Sequence, residues 1–385
     1  MAGSRSLKKT KARKRDHVPR WARWCVLGGA MLMIIGGGGL FAVRAFINKA
    51  TSAIGQQDLL GDAGDKRTSV DGPITMLLVG MDVRENQHDD SVRADTIIMV
   101  YIPASHDQAY MVSLPRDLQV KIPDYKKSDF RGWTTKINTA FQGGYQGPGT
   151  EKDKRGRGME LLAITIKNLT GITFDGAAII DFAGFEAVLQ ELGGVTMCVE
   201  AQAEAIHLAR DKNGKVVEAW YDDSEGKVRG IPTGGSKLIY LPGCQRMAPN
   251  VALEYSRLRK GTCCPNGDYD RQRHQQQLIK AIISEATNKN MLTDLGKLNR
   301  VIQKAGQAFV LDTQGVAVAD YLFTLKDIKP DDLISVRINA GQVHTVPGTS
   351  DEALTADSKQ MLAALRDDQL PAWLLQHTDF LAPSS

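Results

Sequence analysis

Residues 24–43, WCVLGGAMLMIIGGGGLFAV, carry no charged side chain over 20 consecutive positions. As a helix this stretch rises about 30 Å, enough to cross the hydrocarbon core of a bilayer. It constrains all that follows, because a chain anchored here must fold on one side of a membrane. Nine basic residues precede it (Arg5, Lys8, Lys9, Lys11, Arg13, Lys14, Arg15, Arg20 and Arg23) against Asp16 alone. Basic flanks stay in the cytoplasm, which places residues 44–385 outside the cytoplasmic membrane. Trp21 and Trp24 fit an interfacial aromatic belt. The rival is a cleaved signal peptide, opposed by the long basic segment, the length of the span and the lack of a clear A-x-A site. The sequence thus predicts a basic cytoplasmic tail (1–23) and one transmembrane helix (24–43) in single-pass, type II topology.

The rest of the chain is mildly acidic. Removing the tail's net +8 from the whole chain's +4 leaves −4 for residues 24–385, which argues against general nucleic-acid affinity. Beyond Cys25 in the span lie Cys198, Cys244, Cys263 and Cys264, an even number suited to an oxidising compartment. A Cys198–Cys244 bridge would tie down the insertion between them and is the favoured pairing. Cys263 and Cys264 would then form a vicinal bridge or stay free. Their spacing does not resemble a zinc site.

Residues 44–72 read as a polar extracytoplasmic linker. Sheet signals follow at Ile74–Val79, Thr96–Ile102, Ala109–Leu114 and Leu118–Ile122, then helical spacing at 159–171 and 182–194. Short strands are predicted at Ala177–Ile180 and Val195–Val199. The alternation implies an α/β layer fold around a central sheet. Residues 201–240 form a charged, turn-rich excursion with a hairpin signal at Asn213-Gly214, and carry no motif informative about chemistry. Residues 271–288 form a helix on which Arg271, Gln275, Leu278 and Ile282 share one face. No linker interrupts the chain before about residue 376, so 73–376 reads as one domain and 377–385 as a tail.

Charge gathers beside these apolar elements. GMDVR supplies Asp82 and Arg84, VRADT supplies Arg93 and Asp95, and SLPRD supplies Arg116 and Asp117. A last segment, YSRLRKG…NGDYDRQRHQ, supplies Arg257, Arg259, Asp270, Arg271 and Gln275. Arg257 and Arg259, two apart, would leave one face of extended backbone together. Any single Arg–Asp pair is as readily a structural ion pair. Gathered at strand ends, where α/β sheets bind ligands, the arginines suit an anion with several oxygens. Carboxylates among them make sense if a hard cation such as Mg²⁺ lies between, and Asp82 and Asp95 are the candidate metal ligands.

At these residues the sequence resembles the LytR–CpsA–Psr family of bacterial cell-envelope phosphotransferases. The resemblance rests on LLVGMDVR, VRADTIIMVYI, MVSLPRD, KINTAFQGG, FAGFEAVLQELGGV, ALEYSRLR and GDYDRQRHQQQ, in family order across roughly 73–290. It implies a three-layer α/β/α domain with a central mixed β-sheet, an apolar groove for a polyprenyl chain and a mouth for its pyrophosphate. The implied reaction moves a glycan phosphate from a polyprenyl-pyrophosphate-linked glycopolymer, such as a teichoic-acid-like polymer, onto peptidoglycan with Mg²⁺ (or Mn²⁺). By motif, the catalytic set is Asp82, Arg93, Arg116 and Arg271. Pyrophosphate binding falls to Arg84, Arg93, Arg116, Arg257, Arg259, Arg271 and Gln275. Asp82 and Asp95 are the metal carboxylates, with Asp82 alternatively the base. Helices 159–169 and 182–192 are expected to line the groove. Where the family often has Arg, this chain has His274, read as a helix-surface residue. The alternatives are a polyprenyl or nucleoside pyrophosphatase, with water as acceptor, and a non-enzymatic membrane regulator, for which the short tail leaves no room for a DNA-binding domain.

Overall fold

The structure, a computed structural model, describes residues 55–382 apart from 82–91, 262, 289–299, 302, 304–308 and 326. These belong to the compact unit Ala50–Ser385. The tail, the apolar stretch 24–43, Asp82 and Arg84 lie outside the described residues. Among those described, no helix is long and apolar enough to cross a membrane.

Strands β1 (Gly55–Gln56), β2 (Ile74–Met81), β3 (Ala94–Ile102) and β4 (Ala109–Leu114) are followed by a hairpin of β5 (Gln119–Lys121) and β6 (Thr134–Lys136). Helix α1 (Asn138–Tyr145) then packs on α2 (Glu151–Thr170). The two backbones meet closely, since a Cβ on Gly144 would lie 2.2 Å from the Arg157 carbonyl oxygen. Helix α2 begins at a capping box of Thr150 and Asp153 and stops at Gly171, φ +75°. Next come β7 (Gly176–Asp181), α3 (Phe182–Leu192) capped by Asp181, and β8 (Val195–Val199). The excursion builds β9 (Ala203–Arg210), β10 (Val216–Glu218), β11 (Trp220–Asp222), β12 (Lys227–Arg229) and β13 (Ser236–Tyr240). The chain returns through β14 (Gly243–Met247), α4 (Pro249–Arg257) and α5 (Asp268–Asn288), and ends with β15 (Phe309–Asp312), α6 (Val318–Leu325), β16 (Leu333–Arg337), α7 (Ala356–Arg366) and α8 (Leu370–Gln376).

The central sheet has the order β1-β15-β7-β2-β3-β4-β16 and is mixed: β7 and β16 run parallel to β2 and β4, and β3 is antiparallel to both neighbours. Alternation sends Ile97, Met99 and Tyr101 of β3 toward α1, α2 and α7, while Ile98 and Ile102 face the side of α5 and α6. Helices therefore cover both faces.

Two boundaries differ from the sequence reading. Leu59 and Leu60, inside the expected linker, are fully buried, and their amides donate to Asp312 Oδ2 at 2.8 and 3.1 Å. At the other end, Phe380 of the expected tail is buried and Leu381 bridges to Val336. Both segments are parts of the domain, fixed by partners far away in sequence. Cys198 and Cys244 stand directly opposite in the β8–β14 pair and are bonded, as are Cys263 and Cys264.

Candidate functional site

Two of three consecutive glutamines anchor α5. Gln276 donates to the Met111 carbonyl (3.0 Å) and Ser113 Oγ (2.9 Å) on β4, and Gln277 donates to the Cys198 carbonyl (2.8 Å) on β8. About 100° of rotation separates neighbours on a helix, so Gln275 is left to a third direction, and its Oε1 is buried without a hydrogen-bond partner among the described residues. Upstream on the same face, Arg271 is buried. It donates from Nη2 to the backbone oxygen of Asp95 (2.8 Å) and pairs with Asp268 at 2.6 Å.

Arg116, one residue past Pro115 at the end of β4, reaches Asp95 Oδ1 at 2.5 Å and lies 3.6 Å from Asp268 and 3.8 Å from Asp117. Burial alone would lower its pKa, but Asp95, Asp268 and Asp117 more than offset this and hold it above the ordinary arginine value. Arg271 goes the other way: burial, with repulsion from Arg116 and Arg259, outweighs the attraction of Asp268 and Asp95. A cation lowered by burial and like charge gains from an arriving anion. Asp117 itself pairs with Lys136 at 2.9 Å, which accounts for it structurally.

Two cavities adjoin at Gln275. One, of about 390 Å³, is lined by Asp95, Arg116, Arg257, Arg259, Lys260 and Arg271 together with Ile206, His207, Trp220, Tyr221 and Asp223 of the excursion. The second, of about 210 Å³, is almost wholly apolar and includes Leu78, Ile98, Ala178, Phe185, Leu253, Leu278, Ile282 and Ile283. Gln275 lines both. A charged mouth over an oily groove is a site for an amphiphile with an anionic head.

Of the residues singled out by sequence, Asp95, Arg116, Arg257, Arg259, Arg271 and Gln275 come together here. Arg93 is exposed at the foot of β3 and is not among the residues lining the cleft. Arg257 ends a helix instead of standing in extended backbone; Leu258 after it is extended, and Arg257 and Arg259 still line one cleft. The groove is made by β2, β3, β7, α4 and α5. Helix α2 packs on the opposite face of the sheet, with Met159, Leu161, Leu162 and Ile166 fully buried, and α3 contributes Phe185. His274 is a core residue, 3% exposed, with its ring 4.5 Å from that of Tyr255. Burial and Arg273 push its pKa down to about 3. The excursion, uninformative in sequence, builds a full wall of the cleft. The adjacent aromatics Trp220-Tyr221 and the Lys260 that follows the arginines were the signals available.

The donor set admits a hard divalent ion. Among the described residues no three His, Cys, Asp or Glu side chains converge as a cage. Mg²⁺ needs only one or two protein carboxylates when phosphate oxygens complete its shell. Asp95, on the cleft wall, has the chemistry for one; Asp82, the other candidate, lies outside the described residues.

A family model described as the LytR_cpsA_psr family matches residues 44–366. The chain is 27% identical over 294 residues to the polyisoprenyl-teichoic acid–peptidoglycan teichoic acid transferase TagU of Halalkalibacterium halodurans, covering 75% of this chain and 78% of that one. It is 24% identical over 336 residues to the cell wall biosynthesis protein LcpA of Corynebacterium glutamicum, covering 83% of this chain and 57% of the relative. The fold is similar to that of TagT in a structure with LI-WTA bound, at TM-score 0.51 and 21% identity, covering 77% of this chain and 91% of TagT. With its motifs in order, its mixed sheet and a family match over most of its length, the chain belongs to the LytR–CpsA–Psr family.

Proposed function

We propose that this protein is a membrane-anchored phosphotransferase that moves a glycan phosphate from a polyprenyl-pyrophosphate-linked glycopolymer onto peptidoglycan outside the cytoplasmic membrane. The observation that carries the reading is the meeting of an arginine-lined cleft and an apolar groove at Gln275. The names of relatives, teichoic acid transferases among them, support the reaction class. The prenyl chain lies along Leu278 and Ile282, and its diphosphate lies among Arg116, Arg257, Arg259 and Arg271. Paired guanidinium bonds neutralise charge that builds on the phosphoryl oxygens during transfer. Asp95 holds Arg116 in place before substrate arrives. A Mg²⁺ ion carried by Asp95 and Asp82 would supply further charge neutralisation. An acceptor hydroxyl attacks the sugar-side phosphorus, the bond to the bridging oxygen breaks, and polyprenyl phosphate leaves.

The test is Arg116→Ala and Arg259→Ala. Each should lower glycan transfer by at least about 100-fold, the scale of losing one transition-state donor, with an unchanged far-UV circular dichroism spectrum. Normal turnover in both would exclude the assignment. Release of product at full rate without a peptidoglycan acceptor would instead indicate hydrolysis.

A further inference from the structure

The part of the cleft that the excursion contributes carries none of the cleft's arginines, yet it is built. Trp220 leaves 59% of its surface exposed while lining the cleft, an unusual cost for the largest apolar side chain. Its ring is not loose. It lies on the backbone of Gly230, where a Cβ would come within 2.2 Å of the indole and φ is +79°. The six-membered ring of the indole is thus packed on a glycine that no other residue replaces without displacing it. Beside it, His207 bonds Glu254 Oε2 through Nδ1 at 3.0 Å, and the same carboxylate accepts the Ile206 and His207 amides at 2.9 Å each. Glu254 is 4% exposed. A carboxylate accepting from Nδ1 orients the ring and leaves Nε2 for a hydroxyl. Asp223, in the same cleft, pairs with Lys260, whose ammonium also lies 4.9 Å over the Tyr221 ring.

A packed flat aromatic flanked by an imidazole that a buried carboxylate orients matches a pyranose ring, which has an apolar C–H face and a rim of hydroxyls. A lipid would meet too much charge here. We infer that Trp220, with His207, forms a glycan subsite that receives the first sugar attached to the diphosphate. The inference rests on the transferase reading above. It assigns the ends of the donor a linear order: prenyl chain in the groove, phosphates at the arginines, sugar on Trp220.

The test uses the full chain purified in detergent and two probes, geranyl pyrophosphate and geranyl-pyrophosphoryl-N-acetylglucosamine, with affinities measured by calorimetry. Trp220→Ala should weaken the sugar-bearing probe about tenfold, on the scale of one lost aromatic contact, and leave the bare lipid pyrophosphate within about twofold. Trp220→Phe should restore most of the difference. Equal weakening of both probes, or of neither, overturns the subsite while leaving the pyrophosphate site standing. Failure of geranyl pyrophosphate to bind the unaltered protein would instead remove the reading on which the subsite rests.

Discussion

His274 shows how one side chain can carry two different messages in sequence and in space. It occupies the helix position next to Gln275, yet the ring is buried against Tyr255 and its pKa is pushed down to about 3, chiefly by burial and then by Arg273. In the unfolded chain an imidazole takes its proton near pH 6.5, whereas the folded protein refuses it until about pH 3. The unfolded state therefore binds more protons as pH falls, and folding stability declines below about 6.5. Denaturant midpoints measured from pH 7 to pH 4 should fall less steeply for His274→Phe than for the unaltered protein. Parallel profiles would mean that the imidazole takes its proton at the same pH folded and unfolded. At this scale the site was legible where charge abuts apolar strands: Asp95, Arg116, Arg271 and Gln275 announced themselves that way. His207 and Trp220 did not, because their partners, Glu254 and Gly230, are recognisable only after folding.

At the scale of elements, periodicity located the long pieces, since α2, α3 and α5 each keep an apolar stripe and β2 to β4 alternate or run apolar. It failed for β1, too short to show a period, and for Leu59-Leu60, which a carboxylate 252 or 253 residues away holds in the core. It also misplaced the groove, because a stripe says that a helix is buried but not on which face of a sheet. The pair β8–β14 offers a quantitative test. Cys198 and Cys244 are 46 residues apart and close a loop around the excursion. Loop-closure entropy for that length is about 4 kcal/mol, so Cys198→Ala with Cys244→Ala should lose roughly that much in denaturant unfolding. A loss below about 1 kcal/mol would mean that the strand pairing persists in the denatured state.

For the whole molecule, the central point is that one face of the sheet serves two solvents, water at the arginines and hydrocarbon along α5. Blocking the second should leave the first intact. Ile282→Trp, placed in the apolar groove, should weaken long-chain polyprenyl pyrophosphate at least about tenfold and change inorganic pyrophosphate affinity less than about twofold. Equal effects on both would show that the groove does not hold the chain.

The Glu254 attachment has a consequence for how such a protein can diversify. Two of its three bonds to β9 go to main-chain amides, which every residue except proline possesses. The tie is therefore indifferent to most side chains of the excursion. Apart from Trp220, Gly230 and the buried Ala219, Val228, Leu238 and Tyr240, residues 211–240 can change and reshape what the cleft accepts, while their root stays registered to the helix that ends in Arg257. Selectivity can drift in this scaffold without dragging the phosphate chemistry along with it.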